Sequence, residues 1–298
     1  MPERIAVLVN PAAGRGLGKR LLEKLRSRFS YLDDSQIFAT RRAGDEAQLA
    51  AEAVARESTV LVVAGGDGTC SRVANVLIAS HSRCALAVIA CGTGNDFAKT
   101  LGVDDLTVAE AISLAEQTAP QSIDVGQVAD QYFLNSCGFG FDASVLQASS
   151  KVSRLRGKSV YIYSALKQLF TYRGVDVSLD DDRTRKRILM AIVSNGRYLG
   201  GAFKIAPQGL VTDGLLDMNV FDDCGAIERA RLFASAMKGS HVANRRVRYH
   251  RAARFTLEFT APPTMEVDGE LRQASKCTVE IDCVPRALRV IAAQGFPR

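Results

Sequence analysis

Up to about residue 120 the chain alternates short apolar, β-branched runs with helical stretches, and beyond that point strands follow one another almost without helices. This change of rhythm limits the fold more than any other feature. "RIAVLVN" (4–10) leads into Leu17, Leu21, Leu25 and Phe29 at helical spacing; then come "QIFAT", an alanine-rich helix from Asp45, "STVLVVA", a helix from Thr69, and "CALAVIA". Such alternation predicts an α/β layer with a mostly parallel sheet. From about residue 121 the strands read "SIDVGQV", "QYFLNSCG", "VDVSLDD", "KRILMAIVSN", "LLDMNVF", "RFTLEF", "TMEVDGE", "CTVEIDCV" and "ALRVIAA", with helices expected only near 158–171 and 225–239. This half predicts an antiparallel β-sandwich, with hairpin turns at "DDRTRK" and "VDGE". The expected division is 1–122 and 123–298 around a shared cleft, with the last strand a candidate to return to the first domain.

The bulk numbers narrow the function classes. With 298 residues, 47% apolar and 23% charged, the chain has ample material for a core. "TVLVVA" and "CALAVIAC" fall far short of the ~20 residues that span a bilayer, and the apolar stretch after Glu3 and Arg4 is too short for a signal-peptide core. A cytoplasmic protein is expected. Seven cysteines without a C-x-x-C pair fit neither a disulfide framework nor a zinc site, and three histidines at no useful spacing leave acid–base work to carboxylates. A net charge of +6 favours an anionic partner. No aromatic-rich RNA-binding signature and no tryptophan are present, so no nucleic-acid partner is expected.

Three glycine turns should gather at the carboxyl ends of the first-half strands, where ligands of such sheets bind. "AAGRGLGKR" (12–20) misses a Walker A loop: Ala13 replaces its first glycine, and Arg20 the Ser or Thr that binds magnesium. It still offers amides and the cations Arg15, Lys19 and Arg20 to an anion, although a plain strand-to-helix turn explains it equally well. In "GGDGT" (65–69) the glycines allow inward-pointing amides ahead of a helix start. Asp67 or Thr69 could instead simply cap that helix. "GTGNDFA" (92–98), with Asn95 and Asp96, repeats the scheme one strand later. Two acid-bearing phosphate turns on adjacent strand ends are reconciled by a divalent cation, for which a carboxylate is a ligand or an orienter of ligand water.

Taken together, "NPAAGRG" (10–16), "GGDGT", "GTGNDFAKTLG" (92–102), "IDVGQV" (123–128) with "FLNSCGFGFDA" (133–143), "VSNGRYLGGAFKIAP" (193–207), "LVTDGLLDMNVF" (210–221) and "EVDGE" (266–270) resemble the diacylglycerol kinase catalytic family of lipid kinases in its compact bacterial form. "GGDGT" alone is shared with NAD kinases and 6-phosphofructokinases; the ordered series is specific. The resemblance implies an α/β ATP-binding domain followed by a β-sandwich that takes a lipid acceptor. It places Asn10, Pro11, Ala12, Ala13, Gly14, Thr40, Gly65, Gly66, Asp67, Gly68, Thr69, Cys70, Ser71 and Thr93 at the ATP site. Asp67 would act through a catalytic Mg2+, and Glu270 would be the base that accepts the proton of the lipid hydroxyl. The Asp213 carboxylate with the carbonyls of Leu210 and Leu215 would hold a second, structural Mg2+, an all-oxygen set that suits this ion. Without the resemblance, Asp213-Gly214 reads as a turn, and Glu270 as the first residue of a strand.

Asn95, Asp96 and Asp124 are implied members of a network of acids and water, and Arg15, Lys19 and Arg20 are candidates for holding phosphate. Diacylglycerol is the default acceptor; phosphatidylglycerol, a sphingoid base or ceramide are the alternatives, and an NAD kinase-type enzyme is the remoter one. Access to lipid would be peripheral, through basic runs at 151–158 or 245–254 against an anionic membrane surface. A homodimer is compatible with the sequence but demanded by no pattern in it.

Overall fold

The computed structural model describes residues 4–28, 36–150, 167–179 and 182–296. They form two compact units: one of Met1–Val125, Val211–Asp213 and Pro285–Arg298, the other of Gly126–Leu210 and Gly214–Val284. All seven cysteines are free, four of them buried.

The first unit is built on parallel strands in the order β2 (Ile37–Ala39), β1 (Ile5–Val9), β3 (Val60–Gly65), β4 (Ala85–Ala90). Every residue of β1 and β3 is buried, as expected of strands covered on both faces. Helices α1 (Leu17–Arg28), α2 (Asp45–Ala55), α3 (Asp67–Ala79), α4 (Asp96–Leu101) and α5 (Val108–Gln117) intervene. Leu21 and Leu25 of α1, and Ile112 and Ala115 of α5, pack with β1, β3 and β4 in one core. Strand β5 (Gln121–Val128) leads out of this unit. The last strand, β15 (Thr278–Val290), ends in it with Val290 parallel to Leu86.

The second unit holds β6 (Gln131–Phe133), β7 (Ser136–Gly140), β8 (Val175–Leu179), β9 (Asp182–Ser194), β10 (Leu216–Asp222), β11 (Val247–Ala252), β12 (Arg254–Phe259), β13 (Thr264–Val267) and β14 (Glu270–Gln273). Their pairings are antiparallel throughout, with β9 contacting β7, β8 and β10. The "VDGE" hairpin forms as expected: Val267 pairs with Glu270, and Asp268 (φ 46°) and Gly269 (φ 86°) both take the left-handed conformation of a type I′ turn.

Helix α3 starts at Asp67, two residues before the expected Thr69, because extended Gly66 serves as the N-cap without a side-chain bond. "QYFLNSCG" is two strands, broken at Leu134 and Asn135, whose amides turn to the Asp268 carboxylate. A helix that the sequence reading omitted, α6 (Phe141–Ser150), follows β7; Phe141 and Val145, four apart, enter a buried cluster. Most of the helix expected near 158–171 lies outside the described residues, and 167–171 are helical. The helix expected near 225–239 is α7 (Ala226–Lys238), closed by left-handed Gly239 (φ 74°).

Candidate active site

In the first unit, the Asn-Pro turn and the "GGDGT" turn meet at Asn10, directly after β1. Its amide donates to the Ala64 carbonyl (3.0 Å), and its Oδ1 accepts from the Ala12 amide (3.0 Å), which curls "NPAAG" back on itself. The Asn10 Nδ2 donates to Thr69 Oγ1 at 3.1 Å and reaches Glu46 Oε1 at 3.5 Å. Glu46 of α2, which no motif marks, is a further candidate at this junction. It is 1% exposed, accepts from the Gly44 amide (2.8 Å), and sits 3.3 Å from an Arg72 guanidinium nitrogen. A buried carboxylate needs such partners. The only sequence signal was an acid in the first turn of an alanine-rich helix.

The two acid-bearing turns touch backbone to backbone. A Cβ on Gly92 would lie 2.5 Å from the Gly66 Cα and 2.8 Å from Asn95 Oδ1; a Cβ on Gly65 would lie 2.6 Å from the Thr69 side chain. Glycine is required here by space, since both sites admit no side chain. Asn95 is left-handed (φ 54°) and its Oδ1 accepts from the Gly92 amide at 2.8 Å, closing the second turn.

Asp67 then joins the turns. Its Oδ1 accepts from the Phe97 amide at 3.1 Å, so the first residue of α3 holds the start of α4. The carboxylate sits where α3's opening amides lack carbonyl partners one turn back, a place that favours negative charge. The first turn of α3 can thus bind an anion through the amides of Asp67 and Gly68, with the acid side chain beside it. Thr69, Cys70 and Ser71 are buried on α3. Thr40 is 8% exposed, its amide bonded to the Val9 carbonyl. Gly14 is left-handed (φ 57°) in the turn Ala13–Gly16. Arg20 is exposed on α1, while the side chains of Arg15 and Lys19 lie outside the description.

Asp96 is 6% exposed, 3.4 Å from Lys99 Nζ. Asp124, 1% exposed, is a clamp: its amide donates to the Val211 carbonyl (2.7 Å), and its carboxylate accepts from the amide of left-handed Arg286 (2.8 Å). It fastens the segment Val211–Asp213 to the same unit. Asp213 itself is exposed, followed by left-handed Gly214 (φ 75°). Among the described residues no group of three or more His, Cys, Asp or Glu side chains is placed to hold a metal ion.

In the second unit, Glu270 opens β14 with its Oε2 2.7 Å from an Arg272 guanidinium nitrogen; Arg272 also donates to Gln131 Oε1 (2.9 Å). The turn before it is anchored by two acids. Asp268, 6% exposed, accepts from the amides of Leu134 (2.8 Å), Asn135 (2.8 Å) and Ser136 (3.3 Å). Glu266, 3% exposed, accepts from the Gly269 amide.

The Glu266 carboxyl and that of Asp142, at the start of α6, both crowd Gly138, whose absent side chain leaves them room. Burial, then the Asp142 charge, holds the Glu266 carboxyl well above the ordinary carboxylate value, with Asp268 adding in the same direction and the Gly269 amide opposing. The folded protein therefore binds a proton there that the unfolded chain releases above its ordinary value of 4.5. Stability contributed by this proton is present at low pH and is lost as pH rises from 4.5 towards the raised folded value. Glu266→Gln, which is neutral at every pH, should flatten that slope and raise the melting temperature most on the alkaline side; a melting profile parallel to wild type from pH 5 to 9 would show the carboxyl ionised in the fold.

Comparison with known proteins places these features in a family. Residues 4–128 match the diacylglycerol kinase catalytic domain, and residues 135–292 match the YegS C-terminal NAD kinase beta sandwich-like domain. The chain is 29% identical to a diacylglycerol kinase of Bacillus subtilis over 90% of each protein. It is 35% identical to a Pseudomonas putida protein named as a YegS-like lipid kinase, over 68% of this chain and 71% of that one. A crystal structure from Bacillus anthracis named for a diacylglycerol kinase superposes with a TM-score of 0.79 at 26% identity, covering 99% of this chain and 96% of that one. The chain belongs to the lipid kinases that join a diacylglycerol kinase catalytic domain to a YegS-type C-terminal domain.

Proposed function

We propose that the protein transfers the terminal phosphate of ATP to a hydroxyl of a membrane lipid, with diacylglycerol as acceptor and phosphatidic acid as product. The observation that carries the reading is the junction of two glycine turns by Asp67, an acid seated at the anion-favouring start of α3. In this reading the first unit holds the nucleotide around Asn10–Gly14, Thr40, Gly65–Ser71 and Thr93, and Arg15, Lys19 and Arg20 are the candidates for holding its phosphates. The second unit supplies the acceptor's base. Glu270 takes the hydroxyl proton as the new oxygen–phosphorus bond forms and the bond from the terminal phosphorus to the departing ADP breaks.

Mg2+ fits the residues on their donor chemistry. This ion usually takes one or two carboxylates together with substrate phosphates and water, so a cluster of three acids is not required. Asp67 would hold it at the nucleotide, where it supplies charge neutralisation. Asp213 and the carbonyls of Leu210 and Leu215 are a proposed oxygen set for a second Mg2+ in a structural role. Asp124 supports that loop from one side through Val211. No helix among the described residues is long and apolar enough to cross a membrane, and we place the enzyme at the membrane surface from the cytoplasm.

Incubation with labelled ATP and a panel of diacylglycerol, phosphatidylglycerol, sphingoid base and ceramide tests the reading. Label should enter diacylglycerol first. Label in another lipid reassigns the acceptor, whereas turnover of NAD without lipid, or none at all by folded protein, overturns the proposal.

A further inference from the structure

Helix α7 is apolar on two faces. Its inner face buries Leu232 and Ala236, with Phe233 against Phe141 at a ring distance of 5.0 Å. Its outer face carries Ile227, Ala230, Arg231, Ala234, Met237 and Lys238, which recur at three- and four-residue steps and are all exposed. Ile227 is 74% and Met237 55% exposed. The solvent face of a soluble helix ordinarily mixes acids and bases, but these six positions include two cations and no acid. The inner side of α7 also holds a neighbouring segment, through buried Arg229. Arg229 donates to the carbonyls of Leu169 (2.8 Å) and Tyr172 (2.9 Å), tying the helical turn 167–171, with Phe170 77% exposed, to α7.

The basic run 245–254 offers less. Arg246 is paired with Glu228, Arg248 with Asp222, Arg251 with Asp217 and Arg254 with Asp282, so these cations already serve acids of the fold.

We propose that the outer face of α7 docks on an anionic lipid surface. Ile227 and Met237 enter the boundary between head groups and acyl chains, while Arg231 and Lys238 extend to anionic head groups. A second copy of the chain is a poorer occupant: a twofold contact through this face would set the cations of each copy against those of the other, with no acid to receive them.

The inference deepens the membrane reading above and is tested without turnover, so the two can fail separately. Full-length protein is sedimented with phosphatidylcholine vesicles, with and without phosphatidylglycerol. Binding should require the anionic lipid, weaken with salt, and fall about tenfold or more in both an Ile227→Asp, Met237→Asp variant and an Arg231→Gln, Lys238→Gln variant. The second variant changes only exposed cations, so it tests the face even if the first folds poorly. Wild-type binding that ignores lipid charge, or variants that bind as wild type does, would overturn the proposal. So would sedimentation equilibrium showing a dimer that Ile227→Asp converts to monomer, which would assign the face to self-association.

Discussion

Asp67→Asn should lower turnover by about 10²–10³-fold while leaving the melting temperature nearly unchanged. The substitution separates two roles that one side chain combines. As a scaffold, Asp67 Oδ1 receives the Phe97 amide at 3.1 Å and holds the start of α4 against α3. An asparagine keeps that oxygen and can keep the bond. As a charge, the carboxylate stands beside the amides that open α3, and only the charge can serve a cation carried by nucleotide phosphate. Asp67→Ala removes both roles and should lower stability as well, by about 1–3 kcal/mol for a partly buried amide left without its acceptor. Comparing the two by melting curves and by turnover at saturating ATP and magnesium assigns each effect. An asparagine enzyme with wild-type turnover would make the acid a latch between helices and remove it from the chemistry.

The same residue shows how far the sequence could be read. The glycine turns were legible because a backbone that must curl, and must touch another backbone, leaves a compositional trace; Gly66 and Gly92 are in contact, as their adjacent strands require. The parallel strands were legible because burial on both faces writes unbroken apolar runs such as β3. The role of Glu46 was not legible, since its partners Asn10 and Arg72 come from separate elements and its one local partner, the Gly44 amide at the head of its own helix, does not mark a buried acid. Likewise "EVDGE" reads as a turn with spare acids. In the fold, Glu266 shares a site with Asp142 from 124 positions earlier (266 − 142), and Asp268 binds the amides of 134–136. Helix α6 was missed for a related reason. "FGFDASVLQ" is a short apolar stretch after a strand, and only its packing with Leu189 and Ile192 in the same cluster determines that it coils. Long-range pairing of polar groups is the information that motif and periodicity do not carry.

Glu270→Gln should lower turnover by about 10² or more while leaving nucleotide affinity close to wild type. Glutamine preserves the type I′ turn at Asp268-Gly269, the pairing of Val267 with residue 270, and an oxygen that can still accept from Arg272. What it loses is the ability to take a proton. The ion pair with Arg272 is partly exposed, with side chains 28% and 46% accessible, so its loss should cost no more than about 1 kcal/mol of stability. A large fall in turnover with little change in melting temperature therefore isolates proton transfer from folding. Asp268→Asn supplies the contrast: it weakens the acceptor of three amides that positions the turn, and it should depress stability and turnover together. Arg272→Gln completes the set, because it removes the guanidinium that meets Glu270 without removing the carboxylate, and turnover should survive it. If Glu270→Gln instead turns over normally while Asp268→Asn does not, the hairpin's contribution is its shape, and the proton must leave the hydroxyl by another carboxylate.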